Sequence, residues 1–169
     1  MKAWISIIGS SPFAVINTIW AACKLEGYIP ERVLFIVNRN LKDKDIDTVH
    51  IWTEELLKSY GVKNPIFEKR EIEEDDFGQI EDTFRCNISR LTQGGLVAVD
   101  ITPGRKYMSA IAMHCGLAEG ASHVYYLHLK DFEYQDVPFP LIPVQKQQLI
   151  DMKETGTCCD IGEVRGRRL

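Results

Sequence analysis

The chain has 169 residues and a formal net charge of −4, and this length is enough for one domain with a sizeable core. Its 26% charged and 45% hydrophobic residues are typical of a globular protein. The negative charge excludes a chain-wide basic surface for long nucleic acid, so any anion site has to be a local pocket. No apolar stretch is long enough to span a membrane. Five cysteines without metal-ligand spacing indicate a reducing, cytoplasmic location and no metal site.

The first forty residues contain two strand patterns separated by a helix pattern. Residues 3–8 are apolar and rich in β-branched side chains, which predicts a buried strand. Ser11 is a candidate N-cap for the next helix, with Pro12 at its first position. The helix extends to about Leu25, and residues 32–38 predict a second buried strand.

The middle of the chain continues this alternation. A charged loop over 42–47 precedes a predicted helix over 48–60 with an apolar stripe. A weaker strand, expected near a sheet edge, follows at 65–71. The acidic residues 71–76 predict a solvated loop and helix start, and the next helix is predicted over 77–93.

The last third contains two further strands and a proline-rich segment. Strands are predicted at 96–100 and 123–129, with a helix from about Met108 between them. Residues 138–144 are proline-rich and predict an extended segment that forms an antiparallel arm or covers a sheet edge. From Met152 onward the apolar pattern is lost, which predicts a frayed C-terminus.

Strands alternating with helices predict an α/β fold, a Rossmann-like doubly wound, mostly parallel sheet with helices on both faces. This domain would occupy residues 1–150, followed by a tail over 151–169. Such sheets bind ligands beyond the carboxyl ends of their strands, where the strand order reverses. The first strand and the 96–100 strand are expected to be neighbours, so the loop at 9–12 would lie beside the loop at 100–106.

The loop after the 96–100 strand carries the clearest chemical signal. Pro103 and Gly104 predict a tight turn, and Arg105 and Lys106 add two positive charges at the start of a helix. Free backbone N–H groups and the helix dipole favour an anion there, so the pattern points to a phosphate. The alternative is an ordinary strand-to-helix loop whose two basic side chains are solvated. Neither a dinucleotide-binding glycine motif nor a Walker loop is present.

Residues 100–108, Asp-Ile-Thr-Pro-Gly-Arg-Lys-Tyr-Met, resemble the signature of CRISPR-associated Rossmann-fold (CARF) domains. Those domains carry Asp-x-Thr-Gly/Pro-Gly-Thr/Arg-Lys-x-Met at this strand end. Residues 9–12, Gly-Ser-Ser-Pro, are similar to the Gly and Ser or Thr that follow the first strand of the family. The resemblance extends over about residues 1–150.

The resemblance implies a homodimer with two-fold symmetry whose ligand is a cyclic oligoadenylate, with cyclic tetra-adenylate as the first candidate. A chain of 169 residues leaves no room for the second domain of most CARF proteins, and so it resembles the stand-alone ring nucleases. These cut the ring and end type III CRISPR signalling. The implied reaction needs no metal or other cofactor, because a ribose 2′-hydroxyl attacks the adjacent phosphate and leaves a 2′,3′-cyclic phosphate.

By the same resemblance, Lys106 would stabilise charge on the phosphate or the leaving oxygen, and Ser11 would orient the ribose or phosphate. Asp100 is expected to fix the loop by accepting backbone N–H bonds. No histidine or carboxylate is placed as a base, which predicts slow turnover. Further ligand contacts are expected from eight residues: Gly9, Ser10, Asn38, Thr102, Pro103, Gly104, Arg105 and Tyr107.

Two other functions remain open at this point. A sensor or sequestering module would use the same binding residues without aligning the attacking hydroxyl. An unrelated α/β protein with a phosphate loop would bind a monomeric nucleotide and need not dimerise. His114 is interpreted as a packed or hydrogen-bonded residue, His123 and His128 carry no motif, and the pair Cys158-Cys159 is interpreted as incidental.

Overall fold

The computed structural model describes residues 1–154, in which strands and helices alternate as the sequence predicts. The predicted tail lies almost wholly outside the described residues, as does the Cys158-Cys159 pair. No helix within residues 1–154 is both long enough and apolar enough to cross a membrane. The elements are β1 (Lys2–Ile8), α1 (Pro12–Leu25), β2 (Arg32–Asn38), α2 (Asp43–Ser59), β3 (Ile66–Ile72), α3 (Phe77–Thr92), β4 (Leu96–Asp100), α4 (Lys106–Ala118), β5 (His123–Leu129) and β6 (Gln147–Asp151).

The strands form one six-stranded sheet in the order β3-β2-β1-β4-β5-β6. The first five strands are parallel, and β6 pairs with β5 in the antiparallel direction. β1 lies between β2 and β4, so the strand order reverses beside it. The register places Ser6 of β1 opposite Asp100 of β4. The predicted α/β, doubly wound and mostly parallel fold is confirmed, including the pairing of the first strand with the 96–100 strand.

Both faces of the sheet are covered, because side chains alternate between faces along each strand. In β1, Ile5 and Ile7 belong to a hydrophobic cluster on the face that α3 and α4 cover. This cluster includes Phe84 of α3. Trp4 and Ile8 belong to the opposite cluster, which packs against α1 and α2. This two-sided burial explains why β1 reads as a continuous apolar run.

Two helices begin earlier than the sequence predicts. α2 begins at Asp43, so the predicted charged loop over 42–47 is wrong: most of it is the first turn of a helix. That turn contains a single apolar residue, Ile46, which packs against the core, while Asp43 and Asp45 favour the turn through the helix dipole. α4 begins at Lys106, which places that residue in the first turn of its helix.

The prediction of an extended segment over 138–144 is only partly correct, because extended backbone is found at Pro138, Ile142 and Pro143. Short 3₁₀ turns form at Phe139–Leu141 and Val144–Lys146, and a proline precedes each of them. The fixed proline φ favours such turns. The antiparallel edge strand is β6, which starts after these turns. Its sequence is polar and half-exposed, so it lacks the hydrophobic periodicity that would predict a strand.

Candidate functional site

The loops after β1 and β4 touch each other at the carboxyl edge of the sheet. A Cβ atom built on Gly9 would lie 3.1 Å from the backbone nitrogen of Gly104. Gly104 has φ +92°, in the left-handed region that favours glycine. Both glycines therefore serve the close approach of two loops that are more than ninety positions apart in sequence.

A cleft of about 680 Å³ opens beside this contact. Its volume is in the range of small-molecule sites, and its position is where doubly wound sheets bind ligands. The structure brings eight of the ten predicted site residues into its wall: Gly9, Ser10, Ser11, Asn38, Thr102, Pro103, Gly104 and Arg105.

The other two predicted residues, Lys106 and Tyr107, do not line the cleft. Lys106 is exposed at the start of α4, directly after the cleft residue Arg105. Tyr107 donates its hydroxyl to the backbone oxygen of Glu74 at 2.6 Å. Its ring packs edge-on against Phe77, with the ring centroids 4.9 Å apart. Tyr107 therefore holds the β3–α3 connection in place.

Asp100, the last residue of β4, anchors the β4–α4 loop, as predicted. Its carboxylate accepts hydrogen bonds from the backbone N–H of Thr102 and from the hydroxyl of Ser6, both at 2.9 Å. The Thr102 hydroxyl in turn accepts the N–H of Leu127 at 2.8 Å, which ties the loop to β5. Burial raises the pKa of Asp100 to about 7, even though its hydrogen bonds favour the charged form.

Ser11 occupies the N-cap position of α1 with Pro12 next to it, but its hydroxyl makes no capping hydrogen bond. It donates instead to the carboxylate of Asp136 at 3.4 Å. Asp136 belongs to the β5–β6 connection and was not predicted, because nothing in the local sequence links it to the first loop. Ser11 lines the cleft, whereas Asp136 does not.

The side of the cleft that is predicted to bind an anion contains an ion pair. Among the described residues that line the cleft, Arg105 is the one lysine or arginine, and its guanidinium pairs with the carboxylate of Glu74. Asn38 donates its amide to the other carboxylate oxygen at 2.8 Å. The expected local basic cleft therefore carries an acidic side chain that neutralises this cation.

An aromatic wall, formed by Tyr126, His128 and Phe132, lines another part of the cleft. The rings of Tyr126 and His128 have centroids 6.2 Å apart, and Phe132 is 93% exposed. Aromatic rings of this kind can stack on nucleobases. The sequence assigns no motif to His128, and the structure places this residue in the cleft lining. A usable signal was the two-residue spacing of Tyr126 and His128, which places both on one face of β5.

The other histidines lie away from the cleft lining. His123 contacts Asp151 at the opposite end of β5, with 2.7 Å between Nδ1 and Oδ2. His114 lies within α4. Within residues 1–154, no three His, Cys, Asp or Glu side chains are grouped as ligands for a metal ion.

Asn17 of α1 fastens the β5–β6 connection over the cleft. It is buried, with 1% exposure. Its amide nitrogen donates to the carbonyl of Val137 and its oxygen accepts the N–H of Phe139, both at 2.8 Å. One buried side chain therefore satisfies two backbone groups of an otherwise irregular segment.

Replacing Asn17 by alanine is expected to lower the free energy of unfolding by about 2–3 kcal/mol, because two backbone groups lose their partner. Urea denaturation measures this loss. Asn87→Ala is the matched control, since the Asn87 amide donates to Thr83 within its own helix at 2.8 Å. The Asn87→Ala control should lower the free energy of unfolding by less than half as much. Equal losses in the two variants would contradict the fastening role of Asn17.

Comparison with known proteins finds matches among solved structures only. No protein-family model matches the sequence, and no curated protein matches it. Csm6 from Enterococcus italicus, bound to cyclic hexa-2′-fluoro-hexa-dAMP, matches with a TM-score of 0.63 and 14% identity over 92% of this chain and 43% of its own. Can2 from Sulfobacillus thermosulfidooxidans, in complex with cyclic tetra-adenylate, matches with a TM-score of 0.52 and 13% identity over 75% of this chain and 32% of its own.

A third match is the protein VC1899 from Vibrio cholerae, with a TM-score of 0.55 and 12% identity over 74% of this chain and 30% of its own. The present chain therefore spans less than half the length of each of these three proteins. At such low identity the matches establish a shared fold. The resemblance predicted from the strand-end motif is thus confirmed at the level of the fold.

Proposed function

We propose that this chain, which has the fold of CARF domains, binds a cyclic oligoadenylate in the cleft beside β1 and β4, with cyclic tetra-adenylate as the first candidate. The observation that carries the proposal is the contact of Gly9 with Gly104. It brings two loops of small and hydroxyl residues to one side of a nucleotide-sized cleft, where backbone N–H groups at helix starts favour phosphate. The aromatic wall of the same cleft suits the adenine rings.

The proposed binding unit is a homodimer. A ring of four nucleotides is larger than the ligands that a cleft of about 680 Å³ ordinarily encloses. Two clefts related by a two-fold axis would each take half of a ring that has even symmetry. Sedimentation of the purified chain with and without the ring measures this state directly.

The proposed reaction is metal-independent cleavage of the ring. The 2′-oxygen forms a bond to the adjacent phosphorus, and the bond from phosphorus to the 5′-oxygen breaks. The 2′-hydroxyl loses its proton, the leaving oxygen gains one, and a 2′,3′-cyclic phosphate remains. Ser11 would orient the ribose or phosphate, and Lys106 would stabilise charge from the rim of the cleft. Gly9, Ser10 and the Thr102–Arg105 loop would hold the ring.

A non-catalytic sensor or sequestering module is the second candidate. The position of Lys106 favours it, because this residue is exposed beside the cleft and does not line it. Binding without cleavage would need only the loops and the aromatic wall.

Incubating the purified chain with labelled cyclic tetra-adenylate in excess chelator tests both candidates. We expect shorter linear adenylates that end in a cyclic phosphate. Retention of an intact ring would support the sensor. Linear tetra-adenylate is the matched control ligand, and it should compete weakly because it cannot present a closed ring. Absence of binding to the cyclic tetramer and to the cyclic hexamer would refute both candidates.

A further inference from the structure

Glu74 places a carboxylate in the wall of a cleft that is proposed to hold phosphates. It lies in the connection between β3 and α3, and its side chain is 27% exposed. Its two carboxylate oxygens are both engaged, one by the guanidinium of Arg105 and one by the amide of Asn38 at 2.8 Å. These two donors are among the groups that a phosphate in this cleft would use.

We propose that Glu74 sets the affinity of the site by acting as an internal competitor for its anionic ligand. The carboxylate already occupies Arg105 and Asn38, so a phosphate can use these donors only by displacing it. Guanidinium groups bind carboxylate and phosphate with the same forked geometry, which makes this exchange chemically direct. The identity of the ligand rests on the proposed function, whereas the competition rests on the three side chains.

The surrounding contacts allow the carboxylate to move while the main chain stays in place. The backbone oxygen of Glu74 accepts the hydroxyl of Tyr107 at 2.6 Å, which fixes this part of the connection independently of the carboxylate. Arg105 is 69% exposed, so its guanidinium also has room to rotate. Exchange therefore requires rotation of two side chains and no rearrangement of the loop.

Competition of this kind has two measurable consequences. Binding replaces one charge pair by another, so the new contact adds less affinity than it would at an unpaired arginine. The pair of Glu74 and Arg105 has no net charge, and so the attraction of the site for an anion depends little on salt. Without the carboxylate, Arg105 would attract the anion alone, and screening by salt would weaken that attraction.

Titration of Glu74→Gln with cyclic tetra-adenylate and, separately, with inorganic pyrophosphate tests the proposal. We expect about fivefold tighter binding of both probes than in the wild type and a steeper loss of affinity between low and high salt. Glu73→Gln is the matched control, because Glu73 pairs with Arg39, 2.5 Å away, and does not line the cleft. It should leave both affinities unchanged. Weaker or equal binding by Glu74→Gln would overturn the proposal.

A second variant separates competition from simple repulsion. In an Arg105→Ala background, Glu74→Gln should give a much smaller gain, because the charged donor is gone and only the Asn38 amide is still contested; a gain as large as in the wild-type background would overturn competition at Arg105. If neither protein binds the cyclic ring while Glu74→Gln binds pyrophosphate more tightly, the proposed ligand is wrong and the competition stands. Failure of Glu74→Gln to bind either probe would overturn the competition.

Discussion

Replacing Lys106 by alanine is expected to slow cleavage of cyclic tetra-adenylate about a hundredfold while weakening its binding only severalfold. Loss of one group that stabilises charge developing in a transition state costs about 10²–10³ in rate. The same ammonium group, at the start of α4, contributes less to ground-state affinity because the charge that it stabilises develops only in the transition state. The rate and the affinity should therefore separate in this variant.

Single-turnover assays with protein in excess over labelled ring measure the cleavage step, and titration of the same variant measures binding. Lys44→Ala is the control, because Lys44 is an exposed lysine in the first turn of α2 and does not line the cleft. It should leave both quantities unchanged. Cleavage by Lys106→Ala at the wild-type rate would contradict a catalytic role for this residue and leave the loops to act by orientation alone.

Arginine at position 106 distinguishes two ways in which Lys106 would act. Arginine keeps the positive charge but does not give up a proton. If Lys106 stabilises charge on the phosphate, Lys106→Arg should keep cleavage within about tenfold of the wild type. If Lys106 protonates the leaving 5′-oxygen, the arginine and alanine variants should be equally slow.

The parts of the site that are local in sequence could be predicted. The β4–α4 loop is indicated by Pro103 and Gly104, which lie between an apolar strand and a helix. The anchoring role of Asp100 is indicated by its position at the end of the strand. The meeting of this loop with Gly9 follows from the pairing of β1 with β4, which the alternation of strands and helices suggests. Each of these inferences uses a short stretch of chain or a general rule of parallel sheets.

The parts that depend on distant contacts could not be predicted. Glu74 looks like one residue of an acidic, solvated run, and only the fold places its carboxylate against Arg105. Asn17 falls among the apolar residues of a helix, and its partners at 137 and 139 are some 120 positions away. The β5–β6 connection has no periodic pattern, since its shape comes from prolines and from these long-range hydrogen bonds.

Replacing Asp100 by asparagine is expected to remove a large pH dependence of stability. The pKa of Asp100 is raised from its ordinary value near 3.8 to about 7 in the folded protein because the carboxyl is buried. Between these two pH values the folded state holds a proton that the unfolded state has lost. Stability from this group is therefore complete below about pH 4, falls as the pH rises towards 7, and changes little above that.

Urea denaturation of the wild type and Asp100→Asn between pH 4 and pH 8 measures this difference. Each unit of pKa difference corresponds to about 1.4 kcal/mol, so the wild type should lose several kcal/mol relative to the variant over this range. Asp76→Asn is the control, because Asp76 is exposed and caps α3 by accepting the N–H of Gln79 at 2.9 Å. Asparagine is an equally good cap there, so its profile should follow the wild type.

The same variant separates the two things that the Asp100 side chain supplies, an acceptor and an ionisable group. The asparagine oxygen can still accept the N–H of Thr102, and its nitrogen can donate to the hydroxyl of Ser6. If the acceptor alone holds the β4–α4 loop, Asp100→Asn should bind cyclic tetra-adenylate as the wild type does while losing the pH dependence of stability. Parallel stability profiles in the two proteins would mean that Asp100 is already charged at pH 5 despite its burial, and would contradict the prediction.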